Sequence, residues 1–270
     1  MRPRLFALPL LLSLVAAAPH RPAAPAAAAD GAGNRMAAFP PMSLPRPGDR
    51  PDPFVMHCSA EHWCARMAQD QTGRGWSIGV GHGAGMPMRA DIEEGDEESE
   101  FAIWPHIVIE AGGAVLVGVE ARRSTGYAGG GASGTRLILY RAEAGGGALH
   151  PVLDLPIGAA KDIRACFDSA DRRHRLGACS DQYEFDGMLT LDPATRTGRP
   201  HFIYAARART YPGRRSTDSD STTAPPLRRS DLRWWTDPGC TYSRRFAFDP
   251  RENGYVPDRP LPACTDYLDF

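Results

Sequence analysis

The chain has 270 residues, and its 31 basic and 32 acidic side chains leave a formal net charge of −1 at pH 7. This balance excludes a strongly basic nucleic-acid-binding protein and a polyanionic tail protein. Past the N-terminal region, no apolar run reaches the roughly 18 residues that a membrane-spanning helix needs, so we expect no membrane span.

The N-terminus has the pattern of a signal peptide. Arg2 and Arg4 supply a short positive region, Leu5–Val15 is apolar, and small alanines follow. We therefore predict a signal peptide over residues 1–17, cleaved after Ala17, with Ala29 as a later alternative. Such a peptide predicts export to the periplasm or the extracellular space.

Residues 18–53 are rich in proline and alanine. The first 53 residues hold 11 of the 25 prolines, and proline disrupts both helices and sheet ladders. We expect a disordered linker here, followed by one domain over residues 54–270, which is long enough to bury a full core.

All six cysteines lie in the predicted domain, and an exported protein meets an oxidising compartment in which disulfides persist. Their spacing favours three local pairs, each closing a short loop. Zinc binding through His57, Cys58, His62 and Cys64 is the competing interpretation. The predicted pairs are Cys58–Cys64, Cys166–Cys179 and Cys240–Cys264.

Strand patterns dominate the domain. Residues 103–110 and 114–120 flank a Gly-Gly pair and predict a hairpin, and residues 183–191 and 201–209 predict a second one across an Asp-Pro turn. Helical periodicity is weak, with its best candidate at residues 60–69. Further strands are predicted at residues 76–81, 136–142, 151–157, 163–167 and 241–248.

Short strands and glycine turns without intervening helices favour an all-β, mainly antiparallel fold. We expect a single sandwich-like or barrel-like domain that is stapled by disulfides. Residues 91–100 are strongly acidic and residues 207–233 are rich in arginine, so we expect two long, exposed and mobile loops there.

Gly75-Trp76-Ser77-Ile78-Gly79 fits the G-x-S-x-G pattern that presents a nucleophilic serine in hydrolases. The polar residues before it and the glycines after it do not fit the strand–turn–helix that the pattern needs. Ser77 is thus a weak catalytic candidate, with His82 as the nearest candidate base. An exported hydrolase that uses Ser77 with a histidine, or a pair of carboxylates, is the alternative function.

Calcium is a further alternative, because carboxylate oxygens are its preferred ligands. The candidates Asp91, Glu93, Glu94 and Asp96 lie in an acidic run, but they lack the spacing of an EF-hand loop. We find no phosphate-binding loop and no dinucleotide fingerprint, so no cofactor is expected.

Two segments are candidates for ligand contact. Arg172, Arg173 and Arg175 lie in the predicted Cys166–Cys179 loop and suit carboxylate or phosphate partners. Trp234 and Trp235 are adjacent, so in a strand they point to opposite faces and one of them is expected to be exposed. The sequence therefore favours a non-enzymatic, exported, disulfide-bonded binding or envelope-associated protein, whose partner is an envelope polyanion, a glycan or another protein.

Overall fold

The structure, a computed structural model, describes residues 28–41, 55–70, 75–83, 85, 87–92, 99–143 and 146–269. The predicted signal peptide and its preferred cleavage site at Ala17 lie outside these residues. Neither helix in the described part is long enough to cross a membrane, since α1 spans Ser169–His174 and α2 spans Thr265–Leu268.

The described residues form two antiparallel sheets, which confirms the predicted all-β class. An eleven-stranded sheet has the order β1-β2-β7-β8-β9-β10-β11-β12-β14-β15, with β13 paired to β12, and a four-stranded sheet has the order β3-β4-β5-β6. The strands are β1 Ala28–Ala29, β2 Arg35–Ala38, β3 Val55–Cys58, β4 Trp63–Gln69, β5 Trp76–His82, β6 Met88–Ile92, β7 Glu100–Ile109, β8 Val115–Tyr127, β9 Gly130–Ala142, β10 His150–Arg164, β11 Ser180–Leu191, β12 Phe202–Tyr211, β13 Trp235–Thr236, β14 Tyr242–Asp249 and β15 Gly254–Pro257.

Both predicted hairpins are present. The β7–β8 turn closes where the Gly113 N–H donates to the Glu110 carbonyl, and Gly113 has a φ of 87°, which glycine adopts without a steric penalty. The β11–β12 pair runs in continuous register from Gln182–Tyr211 to Leu191–Phe202. Local turn chemistry therefore fixed both pairings as the sequence indicated.

β8 is buried on both faces along its first half. Val115, Val117 and Val119 pack against the small sheet, and Leu116 faces the core of the large sheet. This two-sided burial explains why the segment is a continuous apolar run and not an alternating one. At Gly118, an added Cβ would lie 2.7 Å from the Trp104 Cβ, so the close approach of β7 and β8 requires glycine.

The large sheet curves so that strands from different parts of it enclose an apolar core on one face. β15 contacts β10, β2 contacts β11, and helix α2 packs against β10 and β11. One apolar cluster collects side chains from β2 to β15, with Tyr183, Tyr204 and Phe202 among its most buried members. The Tyr204 hydroxyl donates to the Pro156 carbonyl and so ties β12 to β10 across this core.

The structure differs from the predicted linker over residues 28–41, which form β1 and β2 at one edge of the large sheet. Met36 and Phe39 are buried, with Phe39 fully so. The turn between the strands is built by Asp30, which accepts hydrogen bonds from the Asn34 backbone and side-chain amides at 2.9 and 2.8 Å. Asn34 also donates to the Gly198 carbonyl at 3.1 Å, so distant turns hold this segment in place.

The best helix candidate, residues 60–69, is not a helix, because this segment contains β4. Ala65 and Met67 face the core while Arg66 is exposed, which is the alternation of a strand. Cys58 and Cys64 are direct cross-strand partners in β3 and β4, and their short separation fits a turn better than a helix.

All three predicted disulfides are present: Cys58–Cys64, Cys166–Cys179 and Cys240–Cys264. The described residues contain no free cysteine. The disulfides exclude the zinc interpretation through Cys58 and Cys64, because an oxidised sulfur does not supply the thiolate that zinc binds.

The predicted loop at residues 207–233 is shorter than expected, since β12 continues to Tyr211. Its remainder is tied to the domain. The Ser221 hydroxyl donates to Asp181, the Thr217 amide donates to Asp266 at 2.7 Å, and Leu227 is buried. These contacts tie parts of the segment to the domain, while most of residues 214–230 are exposed, as predicted.

Candidate functional site

A cleft of about 530 Å³ lies on the large sheet, across strands β7 to β11. Small side chains form its floor. Thr135 on β9 is the cross-strand partner of Gly158 on β10, and Ser133 is the partner of Ala160. Direct cross-strand partners share one face of a sheet, so these four residues leave a shallow trough between larger neighbours.

Charged side chains form the walls of this trough. On one side, Glu100 of β7 pairs with Arg122 of β8, which in turn pairs with Thr135. On the other side, Asp186 and Glu184 of β11 pair with the two β10 floor residues. Three strand spacings separate β8 from β11, which makes the trough about 14 Å wide between backbones.

The trough continues along the strands into a second cavity of about 420 Å³. The two cavities share Ser133, Ala160 and Glu184, and the second is extended by Asp162 and Gln182. We call this continuous surface the groove. Its lining combines carboxylates, hydroxyls and an amide, so it can donate and accept many hydrogen bonds.

An aromatic platform adjoins the β11 wall. The Arg209 Nε donates to Glu184 Oε2 at 2.6 Å, and the Arg209 guanidinium lies 4.5 Å from the Trp234 ring centroid. Tyr211 packs against the same tryptophan at 5.7 Å. Trp234 is 38% exposed, whereas Trp235 is half-buried. One of the two adjacent tryptophans is therefore exposed, as predicted.

Ser77 and His82 are not brought together. Both lie on β5, five residues apart, which corresponds to roughly 16 Å along a strand, and odd spacing places them on opposite faces. Ser77 is buried, and its hydroxyl donates to the Ala68 carbonyl at 3.4 Å. β5 runs straight through the G-x-S-x-G pattern, so the exposed turn of a hydrolase nucleophile is absent from this described segment.

The three arginines of the Cys166–Cys179 loop divide into two kinds. Arg172 and Arg173 are exposed on α1, as a ligand contact requires. Arg175 is 4% exposed and pairs with the buried Asp181, while its Nε donates to the Ala178 carbonyl at 2.8 Å. The prediction that Arg175 contacts a ligand is therefore wrong, because its guanidinium is buried and paired with Asp181.

The calcium candidates are only partly described. Asp91 is exposed on β6, and Glu93, Glu94 and Asp96 lie outside the described residues. No group of three or more histidine, cysteine, aspartate or glutamate side chains is placed to hold a metal ion within the described part of the chain.

Two histidines lie at the contact between the N-terminal segment and the small sheet. The His57 Nδ1 is 2.6 Å from the Phe39 carbonyl oxygen. Burial lowers the pKa of His57, and the contact with that carbonyl opposes this effect. Burial also lowers the pKa of His106, which packs against Trp104 with ring centroids 4.8 Å apart.

Comparisons with protein families, curated proteins and solved structures find no match for this chain. Its three disulfides, and the lack of a membrane-spanning helix in the described residues, are compatible with an exported protein.

The sequence interpretation missed the groove. Its signal is the pair of small or polar runs at residues 131–135 and 158–162, together with the alternation of polar and aromatic residues at 182–186. These residues identify a groove only when the strand register is known. The register brings floor residues from β9 and β10 between wall residues from β8 and β11.

Proposed function

We propose that this protein is an exported, non-enzymatic glycan-binding protein and that the groove is its binding site. The supporting observation is the continuous groove with a small-residue floor and hydrogen-bonding walls. Sugars present hydroxyl groups along their edges and an apolar ring face. Carboxylates such as Glu184 and Asp186 suit the hydroxyls, and the exposed Trp234 ring suits a sugar face.

The charge of the groove argues for a neutral or amino-sugar ligand over a polyanion. Five residues of its lining are acidic: Glu100, Glu120, Asp162, Glu184 and Asp186. Two lining residues are basic, Arg122 and Lys161, and Arg209 pairs with Glu184 and offsets its charge. The lining therefore keeps a net negative charge, which disfavours a phosphate-rich or uronic-acid-rich chain.

The spacing of the carboxylates supports binding over glycoside hydrolysis. Hydrolysis by two carboxylates requires them to flank the scissile bond at about 5–9.5 Å. The backbones that carry Glu120 on β8 and Glu184 on β11 are three strand spacings apart, or about 14 Å, and Glu100 on β7 is one spacing farther away. Glu184 and Asp186 are closer, but they lie side by side on one wall and do not face each other across a ligand.

The test is co-sedimentation of the purified mature protein with insoluble peptidoglycan, chitin and cellulose. Ala160→Arg places a long side chain on the groove floor, and Glu184→Gln removes one wall carboxylate. We expect at least one polysaccharide to bind the wild type, Ala160→Arg to weaken binding at least tenfold, and Glu184→Gln to weaken it severalfold.

Met188→Arg is the matched control. It adds the same side chain to the neighbouring strand β11, at a position that is 60% exposed and outside the groove. Its binding should match that of the wild type. Equal binding by Ala160→Arg and wild type, or no binding to any of the three polysaccharides, contradicts the proposal.

A further inference from the structure

Two exposed imidazoles meet at one end of the small sheet, and neither belongs to the lining of the groove. His62 lies in the turn before β4, and His82 is the last residue of β5. Their ring centroids are 6.4 Å apart, with the ring planes nearly perpendicular at 81°. Imidazole nitrogens are the commonest protein ligands for transition metals.

The backbone holds this pair from two sides. The Gly83 N–H donates to the His62 carbonyl at 2.8 Å, and Trp63 is the cross-strand partner of His82. The Cys58–Cys64 disulfide closes the turn that carries His62. Trp63 also packs against the edge of the His82 ring at 5.3 Å, which limits where that ring can lie.

We propose that His62 and His82 form a surface site for a divalent transition metal of the zinc type. Zinc–nitrogen bonds of about 2.0–2.1 Å place the centroids of two tetrahedrally arranged imidazoles roughly 5 Å apart. The rings must therefore approach by roughly 1 Å. Both side chains are exposed, so rotation about their side-chain bonds supplies this movement without displacing the core.

The neighbouring carboxylate does not complete the site. Glu61 is adjacent in sequence, but its Oε1 accepts from Arg35 at 3.0 Å, and no third ligand joins the histidines among the described residues. Two protein ligands leave the other coordination positions to water or to a small anion. The site is thus open and exchangeable, which distinguishes it from a closed structural zinc site.

Isothermal titration of the purified mature protein with zinc chloride at pH 7.5 tests this inference. We expect one zinc ion to bind per chain, and His62→Gln and His82→Gln each to weaken the affinity at least tenfold. His174→Gln is the control, since His174 is an exposed histidine on the distant α1.

Thermal unfolding without zinc should be unchanged in all three variants, so a loss of binding is not a loss of folding. Zinc affinity within twofold of the wild type in the His62→Gln/His82→Gln double variant overturns the assignment. An equal loss in His174→Gln also overturns it. The groove is not involved in this readout, so polysaccharide binding and zinc binding can fail independently.

Discussion

Arg175→Ala is expected to destabilise the protein strongly. The sequence alone predicts a different role for Arg175, as one of three arginines that contact a ligand. The side chains of Arg175 and Asp181 are 5% and 4% exposed. Asp181 also accepts from the Ser221 hydroxyl, so this carboxylate joins β11 to two separate loops. Removing the guanidinium leaves a buried carboxylate with one neutral donor.

The expected loss follows from this burial. Removing one partner of a buried ion pair costs about 3–5 kcal/mol, because the remaining charge stays in a poorly solvated site. In a domain of this size, 1 kcal/mol corresponds to roughly 2–4 °C in melting temperature. We therefore expect the melting temperature of Arg175→Ala to fall by about 6–20 °C.

Two assays measure the loss, both with all three disulfides intact and followed by tryptophan fluorescence: equilibrium urea unfolding gives the free energy, and thermal unfolding gives the melting temperature. Arg172→Ala and Arg173→Ala are the matched controls, because they remove the same side chain from exposed positions of the same disulfide loop. Exposed substitutions usually change stability by less than about 0.5 kcal/mol. If Arg175→Ala is as stable as these two variants, the buried-pair reasoning is refuted.

Two further predictions concern the contact between the N-terminal segment and the small sheet. Phe39→Ala should lower the free energy of unfolding by about 3–5 kcal/mol in the same urea assay, because Phe39 is fully buried, whereas Met188→Ala, at an exposed position, should have little effect. Stability should also fall below about pH 6.5: the lowered pKa values of His57 and His106 mean that the unfolded chain binds more protons, so acid favours unfolding. His57→Leu should reduce the loss of urea midpoint between pH 7.5 and pH 5.0, and an unchanged loss would show that His57 does not cause it.

Features with a local cause could be predicted from the sequence. The β7–β8 hairpin depends on the Gly112-Gly113 turn, and the Cys58–Cys64 pair depends on two strands that join through a short turn. Each involves residues that are close in sequence, so spacing carries the information.

The N-terminal strands could not be predicted from composition. Averaged over residues 18–53, proline and alanine conceal two large apolar side chains, Met36 and Phe39, which are both buried. The contact that orders the segment is also long-range, since Asn34 donates to the carbonyl of Gly198. Composition describes the average behaviour of a segment, and here two residues and one distant turn decide the outcome.

The groove depends on an irregularity that hydrophobic periodicity does not reveal. Leu137 of β9 pairs with Leu155 of β10, and both face the core. The register then shifts by one residue between Pro156 and Gly158, so that Thr135 pairs with Gly158 on the groove floor. Proline is tolerated at such bulges because it has no N–H to donate to the ladder. Leu137 and Thr135 are both odd-numbered residues of β9, yet Leu137 packs in the core and Thr135 lines the groove. Regular pairing without the shift would place either the core residues or the groove residues of β9 on the wrong face of the sheet.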